Sequence, residues 1–97
     1  MKKRKNTSSC KLEKKADVLK ALGQPTRLRI IDYLRQGERC VCEIFPAIGG
    51  KQSNVSRHLS VLKRAGIVAD RREGVSIYYR VLNPSLFRLL SGLNRKK

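Results

Sequence analysis

At 97 residues the chain has room for one small domain, and a core of that size is marginal for a lone monomer. Its net charge is +16, from 23 Lys and Arg against 7 Asp and Glu, a balance that calls for a polyanionic partner, most often nucleic acid; a ribosomal-type protein or a membrane-surface binder would share it. No run is apolar and long enough to cross a membrane, and no apolar stretch follows the basic start Met1–Lys5 as a secretion signal would require.

Residues 1–10 read as a basic arm that turns polar at Asn6-Thr7-Ser8-Ser9, and residues 11–95 as the folded domain. Leu12, Ala16 and Leu19 recur at helical spacing from Lys11 onward, Val18 and Leu22 widen the stripe, and Gly23 ends it. Pro25 suits the first position of a second helix, with Leu28, Ile30, Ile31 and Leu34 as its apolar set and Gly37 as its stop. A short helix from about residue 42 to 48 contributes Ile44, Phe45 and Ile48; Pro46 requires it to be bent, or short enough to put the proline in the first turn. Gly49-Gly50 is a turn. A longer helix over 52–65 follows, with Val55, Leu59 and Leu62 inward and Gly66 at its end.

Two strands are expected next, over 68–72 and 75–81. Val75, Ile77, Tyr79 and Val81 alternate with Ser76, Tyr78 and Arg80, and Glu73-Gly74 supplies the turn. Asn83-Pro84 reads as a helix cap followed by a first-position proline, and Leu86, Leu89, Leu90 and Leu93 line one face of a last helix. The fold class is therefore mainly α with a β-hairpin wing. The order α-α-α-α-β-β-α is that of a winged helix-turn-helix, whose second helix fits the major groove.

With the stripe of 52–65 facing inward, Gln52, Ser53, Ser56 and Arg57 lie outward near the helix N-terminus, beside Lys51 and Asn54. Gln and Arg can make paired contacts to adenine and guanine edges, and the serines can donate to phosphates. Arg71 and Arg72 near the hairpin tip can reach a phosphate or the minor groove. His58 has no ligand-type residue at metal spacing within its helix, so it reads as a phosphate contact or a packing residue. The first and last helices present the stripes Leu12, Ala16, Leu19 and Leu86, Leu89, Leu90, Leu93 with little left to cover them. A two-fold dimer is expected, with its recognition helices about one DNA turn apart on an inverted-repeat operator in double-stranded DNA.

Cys40-Val41-Cys42 places two thiols one residue apart, shortly before the recognition helix. Three cysteines cannot all pair within one chain, and a reducing cytoplasm is the expected compartment. On a regular helix residues i and i+2 point about 200° apart. The pair can share one ion only if Cys40 precedes the helix or the first turn unwinds, so ion binding is expected to distort that turn. Sulfur ligands favour a soft species over magnesium or calcium, and tetrahedral zinc would need a fourth ligand that the chain does not evidently offer.

Pro25-Thr26-Arg27-Leu28-Arg29-Ile30-Ile31, Ser56-Arg57-His58-Leu59-Ser60-Val61-Leu62-Lys63-Arg64-Ala65-Gly66-Ile67-Val68, Arg72-Glu73-Gly74 and Tyr78-Tyr79-Arg80-Val81 together resemble the ArsR/SmtB family of metal- and thiol-responsive repressors. The resemblance runs from about Val18 to Leu82. It implies a homodimer paired through the first and last helices, bound to its operator when effector-free and released when the effector binds. Glu38 to Phe45 is similar to the metal-binding segment of the arsenic- and cadmium/lead-sensing branches, which makes Cys40 and Cys42 the implied ligands. Arsenic sensors often carry a third cysteine where this chain has Phe45, so Cys10 is the candidate replacement, from the same or the partner subunit. Three thiols lean toward As(III) and Sb(III), with Cd(II) and Pb(II) still open. The zinc site of the family's last helix is not expected, because residues 84–97 hold no His or carboxylate.

Two other readings stand beside this one. The same fold can serve as a thiol redox or persulfide sensor, since lowered thiol pKa values beside many Lys and Arg would suit that chemistry. An architectural DNA-binding protein without effector would not explain why two cysteines cluster beside the reader. No nucleophile–base pair, acid pair or phosphate loop is present, so an enzyme is not expected.

Overall fold

The computed structural model describes residues 7–93, with side chains from Lys11 onward. Helix α1 spans Thr7–Leu22, α2 Pro25–Tyr33 with a 3-10 turn over Leu34–Gln36, α3 Val41–Ile48, α4 Gln52–Arg64 and α5 Ser85–Leu93. Strand β1 is Arg39–Cys40, β2 Val68–Glu73 and β3 Ser76–Val81, joined as an antiparallel sheet in the order β1-β3-β2. Every helix and both hairpin strands expected from the sequence are present. No helix among the described residues is long and apolar enough to cross a membrane.

The helices pack because their stripes meet in one core. Ile30 and Ile31 from α2, Leu34, Ile44 from α3, and Val55, Leu59 and Leu62 from α4 are each almost wholly buried. Each such side chain stabilises the fold by about 1.5–3 kcal/mol relative to exposure. Ile67 and Val68 close the core from the start of β2. Among the described residues, no charged or polar residue is buried in it. The outer face of the molecule differs: Leu12, Leu19, Leu89 and Leu93 on α1 and α5 are 64%, 59%, 48% and 71% exposed. Ala16 is exposed as well, while Leu86 and Leu90 are half-buried against the core.

The structure departs from the sequence reading at four places. Helix α1 begins at Thr7 rather than Lys11, because its first turn is polar and apolar periodicity cannot register it. Strand β1 was not foreseen; two residues carry no alternation, and only pairing with β3 defines them. The hairpin loop is Gly74-Val75, since Glu73 pairs with Ser76. Gly74 has φ 64° and Val75 is not in the positive-φ region, the signature of a type II′ turn, and Val75 is 98% exposed rather than part of the half-buried strand face. Pro46 lies in the second turn of α3, not the first. Lacking an N–H, it leaves the Cys42 carbonyl without its helical donor.

Candidate nucleic-acid interface and thiol pair

Helices α3 and α4 are joined by Gly49-Gly50, both at φ 82°, a conformation that side chains rarely adopt. The tight turn lets α4 cross α3 with its N-terminus projecting. Lys51 precedes α4 in extended backbone and makes no side-chain cap bond. Lys51, Gln52, Ser53, Asn54, Ser56 and Arg57 are all exposed there, while Val55 and Leu59 hold the opposite face in the core. The open helix N-terminus, with free N–H groups and positive dipole, is suited to a phosphate.

His58 departs from this group. Its ring is half-buried, and its Nδ1 accepts the Nε–H of Arg27 at 3.0 Å. Arg27 also donates to the Ala21 carbonyl at 3.2 Å, so one guanidinium links α1, α2 and the recognition helix. Burial, then the charges of Arg27 and Arg57, push the imidazole below the usual histidine value. Helix α2 itself is capped by a residue that the sequence reading did not single out: Gln24 Oε1 accepts from the backbone N–H groups of Thr26 at 2.7 Å and Arg27 at 3.2 Å.

In the wing, Arg71 and Arg72 point to opposite faces of β2. Arg72 is exposed and makes no salt bridge among the described residues. Arg71 was expected as a DNA contact, yet its guanidinium is engaged within the protein. It makes a two-pronged pair with Glu38, Nε to Oε2 at 2.8 Å and Nη2 to Oε1 at 2.9 Å, and Nη1 reaches Glu73 at 2.8 Å. The same group lies 4.7 Å from the centre of the Tyr78 ring. The hydrogen bond from Arg71 holds the Glu38 carboxyl below the usual carboxylate range.

The thiols sit where strand becomes helix. Cys40 ends β1, opposite Tyr78 of β3, and is also the residue before α3, with extended φ −70° and ψ 144°. It forms a capping box with sulfur in place of a hydroxyl: the Cys42 N–H donates to its Sγ at 3.3 Å, and Glu43 Oε1 accepts the Cys40 N–H at 3.0 Å. The Cys42 Sγ–H donates to Cys40 Sγ at 2.7 Å. The two sulfurs therefore converge, because Cys40 lies outside the helix, which was one of the two arrangements the spacing allowed. With Cys40 before the helix, the alternative of an unwound first turn is not needed to bring the two sulfurs together. A metal with sulfur bonds of ~2.3 Å in tetrahedral geometry wants its sulfurs about 3.8 Å apart, so the pair has to open slightly rather than close.

The two thiols are not equivalent. Cys40 is buried and Cys42 exposed. The Cys42 thiol, then the Cys42 backbone N–H, hold Cys40 below the usual cysteine range, with a smaller contribution from the Ser76 hydroxyl on β3. Cys42 is pushed up, first by its bond to Cys40 and then by burial. In their contact Cys42 is the donor and the Cys40 sulfur the acceptor. Among the described residues no third His, Cys, Asp or Glu joins them as a ready-made metal cluster. Cys10, the expected third ligand, has its side chain outside the described residues.

Comparison with known proteins agrees with this geometry. Residues 24–70 match the family described as bacterial regulatory protein, arsR family. An HTH-type transcriptional regulator of Methanocaldococcus jannaschii is 43% identical over 74 residues, covering 75% of this chain and 83% of the relative. The arsenic resistance transcriptional regulator ArsR2 of Pseudomonas putida is 45% identical over 71 residues, 72% of this chain and 61% of that protein. Among solved structures, the homodimeric winged helix-turn-helix DNA-binding domain of Mb0332 from Mycobacterium bovis superposes with a TM-score of 0.84 at 38% identity, covering 96% of this chain and 89% of that one. The chain belongs to the ArsR/SmtB family of winged helix-turn-helix, DNA-binding transcriptional regulators, and is not an enzyme.

Proposed function

We propose that the protein is a homodimeric repressor that releases an inverted-repeat operator when a thiophilic ion binds Cys40 and Cys42. The observation that carries this reading is the convergence of two sulfurs at 2.7 Å on the first turn of α3, one tight turn before the recognition helix. Two soft donors side by side suit As(III) or Sb(III), with Cd(II) or Pb(II) as further candidates. Cys10 would add the third sulfur, from the start of α1. In the DNA complex Gln52 and Arg57 read base edges, Lys51, Ser53, Asn54, Ser56 and Arg72 meet phosphates, and His58 positions the helix through Arg27. Pairing through Leu12, Ala16, Leu19, Leu86, Leu89, Leu90 and Leu93 would cover the apolar faces left open on α1 and α5, as the homodimeric neighbour's fold suggests.

The same short contact favours a second reading, a redox sensor. Cys40 and Cys42 would lose two protons and two electrons to an oxidant such as a peroxide and form a disulfide, with Cys42 open to the reagent. One assay decides between them. The reduced protein is bound to a duplex selected from a random pool, and release is compared for arsenite, antimonite, cadmium, lead, zinc, peroxide and polysulfide. Release by arsenite or antimonite that a chelating dithiol reverses supports the first reading. Release by peroxide or polysulfide alone supports the second, and release by none overturns both.

A further inference from the structure

Arg71, Tyr78 and Cys40 stand in one row across the sheet: Arg71 pairs with Tyr78, and Tyr78 pairs with Cys40. Directly opposed residues of antiparallel strands share a face, as do residues two apart on one strand. Glu38, two before Cys40, and Ser76, two before Tyr78, therefore belong to the same face. Across it Arg71 reaches over the Tyr78 ring, from the far strand β2 to the segment that carries the thiols, and closes on Glu38 with two parallel bonds. An isolated exposed ion pair contributes little, but a two-pronged guanidinium–carboxylate pair that is also stacked on an aromatic ring holds a fixed geometry.

We propose that Arg71 is a positioning residue for operator release, and that its pair with Glu38 is the strut carrying a shift of Cys40 into the wing. The strut rests on the repressor reading above. It has a specific logic. The two sulfurs must part to admit an ion, and because Cys40 is the last residue of β1, any backbone shift it makes passes into that strand. Glu38 lies two residues upstream on that same stretch, so the displacement arrives at Arg71 and hence at the β2-β3 hairpin. With all three guanidinium nitrogens committed to carboxylates, Arg71 is not a free phosphate contact, and Arg72 on the opposite face is left to that role.

The test uses the full chain with Glu38→Gln, Arg71→Gln and the charge-reversed double variant E38R/R71E. Binding to the selected duplex is followed by fluorescence anisotropy across salt, with and without arsenite, and thiol occupation is followed separately by the loss of reagent-accessible sulfhydryls. Both single variants are expected to bind DNA within about twofold of the wild type with the same salt slope, and to take up arsenite normally. Their arsenite-induced loss of DNA affinity shrinks by about fivefold or more, within the usual range of site-to-site coupling. The double variant recovers part of it. Undiminished release by Glu38→Gln and Arg71→Gln overturns the strut alone. So does a salt slope that flattens by about one in Arg71→Gln, which would make Arg71 a phosphate contact. Wild type that takes up arsenite and keeps its DNA overturns the repressor reading and the strut with it.

Discussion

Arg27 and His58 lie 31 positions apart in sequence and 3.0 Å apart in space, with Arg27 as donor and the imidazole Nδ1 as acceptor. The bond needs a neutral ring, and burial together with the neighbouring arginine charges lowers the histidine pKa in the folded state. The unfolded chain titrates near ~6.5, so between that value and the lower folded value the unfolded state binds more protons. The stability conferred by the neutral ring is therefore present above ~6.5 and lost as pH falls through the folded value. The melting temperature is expected to drop from about pH 7 to about pH 5. In His58→Gln, which keeps an acceptor and cannot titrate, that step should flatten; an equal drop in the variant would assign it to other groups.

Cys40→Ser should preserve the fold and effector-free DNA binding, because serine is a good N-cap and can replace the sulfur as acceptor for the Cys42 N–H. Cys42→Ser replaces an exposed thiol by a hydroxyl that can still donate to the Cys40 sulfur. Each variant is expected to lose operator release by arsenite while binding DNA within about twofold of the wild type. In the wild type, affinity for a divalent ion such as Cd(II) or Pb(II) should climb with pH, since Cys42 holds its proton above the usual cysteine range and must release it to become a ligand, whereas with arsenite the thiol protons leave as water with its hydroxides. A double variant that still releases DNA on arsenite would remove the thiols from the mechanism.

The two arginines proposed at the DNA should fail in different ways. Arg57→Ala on α4 is expected to cost about 1–3 kcal/mol and to relax the base preference at one position of the selected site. Arg72→Ala in the wing should weaken all sequences evenly and reduce the slope of log K against log salt by about one. Selection from a random pool, followed by titration across salt, separates these outcomes.

Leu19 and Leu89 line a wholly apolar recess with Val18 and the stems of Lys14 and Lys15, between α1 and α5. Leu19→Glu or Leu89→Glu would place a charge in that surface. In a dimer paired there, each change should weaken association by about 2 kcal/mol or more. Light scattering should show monomer at concentrations where the wild type is dimeric, with DNA affinity lost in parallel. A variant that stays dimeric would move the interface elsewhere.

Helices were legible because their buried stripes are long and regular: Val55, Leu59 and Leu62 announce α4 without any tertiary information. The thiol segment was legible only in part. The spacing of Cys40 and Cys42 says that they cannot converge on a regular helix, but it does not say which escape is used. That is decided by the pairing of Cys40 with Tyr78, which holds it in extended backbone outside α3. The Arg71–Glu38 pair was invisible for the same reason. A charge pair separated by 33 positions has no local signature, and it needs β1 and β2 to flank β3. Gln24 carries no cap signal in the sequence, because glutamine is not among the preferred cap residues.

Because one sulfur both caps α3 and would grip the ion, an incoming ion competes with the helix for its own terminus. Sulfur is a weaker acceptor than a hydroxyl, and whatever part of the cap ion binding removes is subtracted from the affinity two bare thiolates would have. Linkage then runs in both directions. If the ion weakens DNA binding, DNA weakens ion binding by the same factor, so the operator-bound protein should be the poorer ligand for the ion. Protein free of DNA would capture it first, and repression would fade as the unbound pool is drawn away.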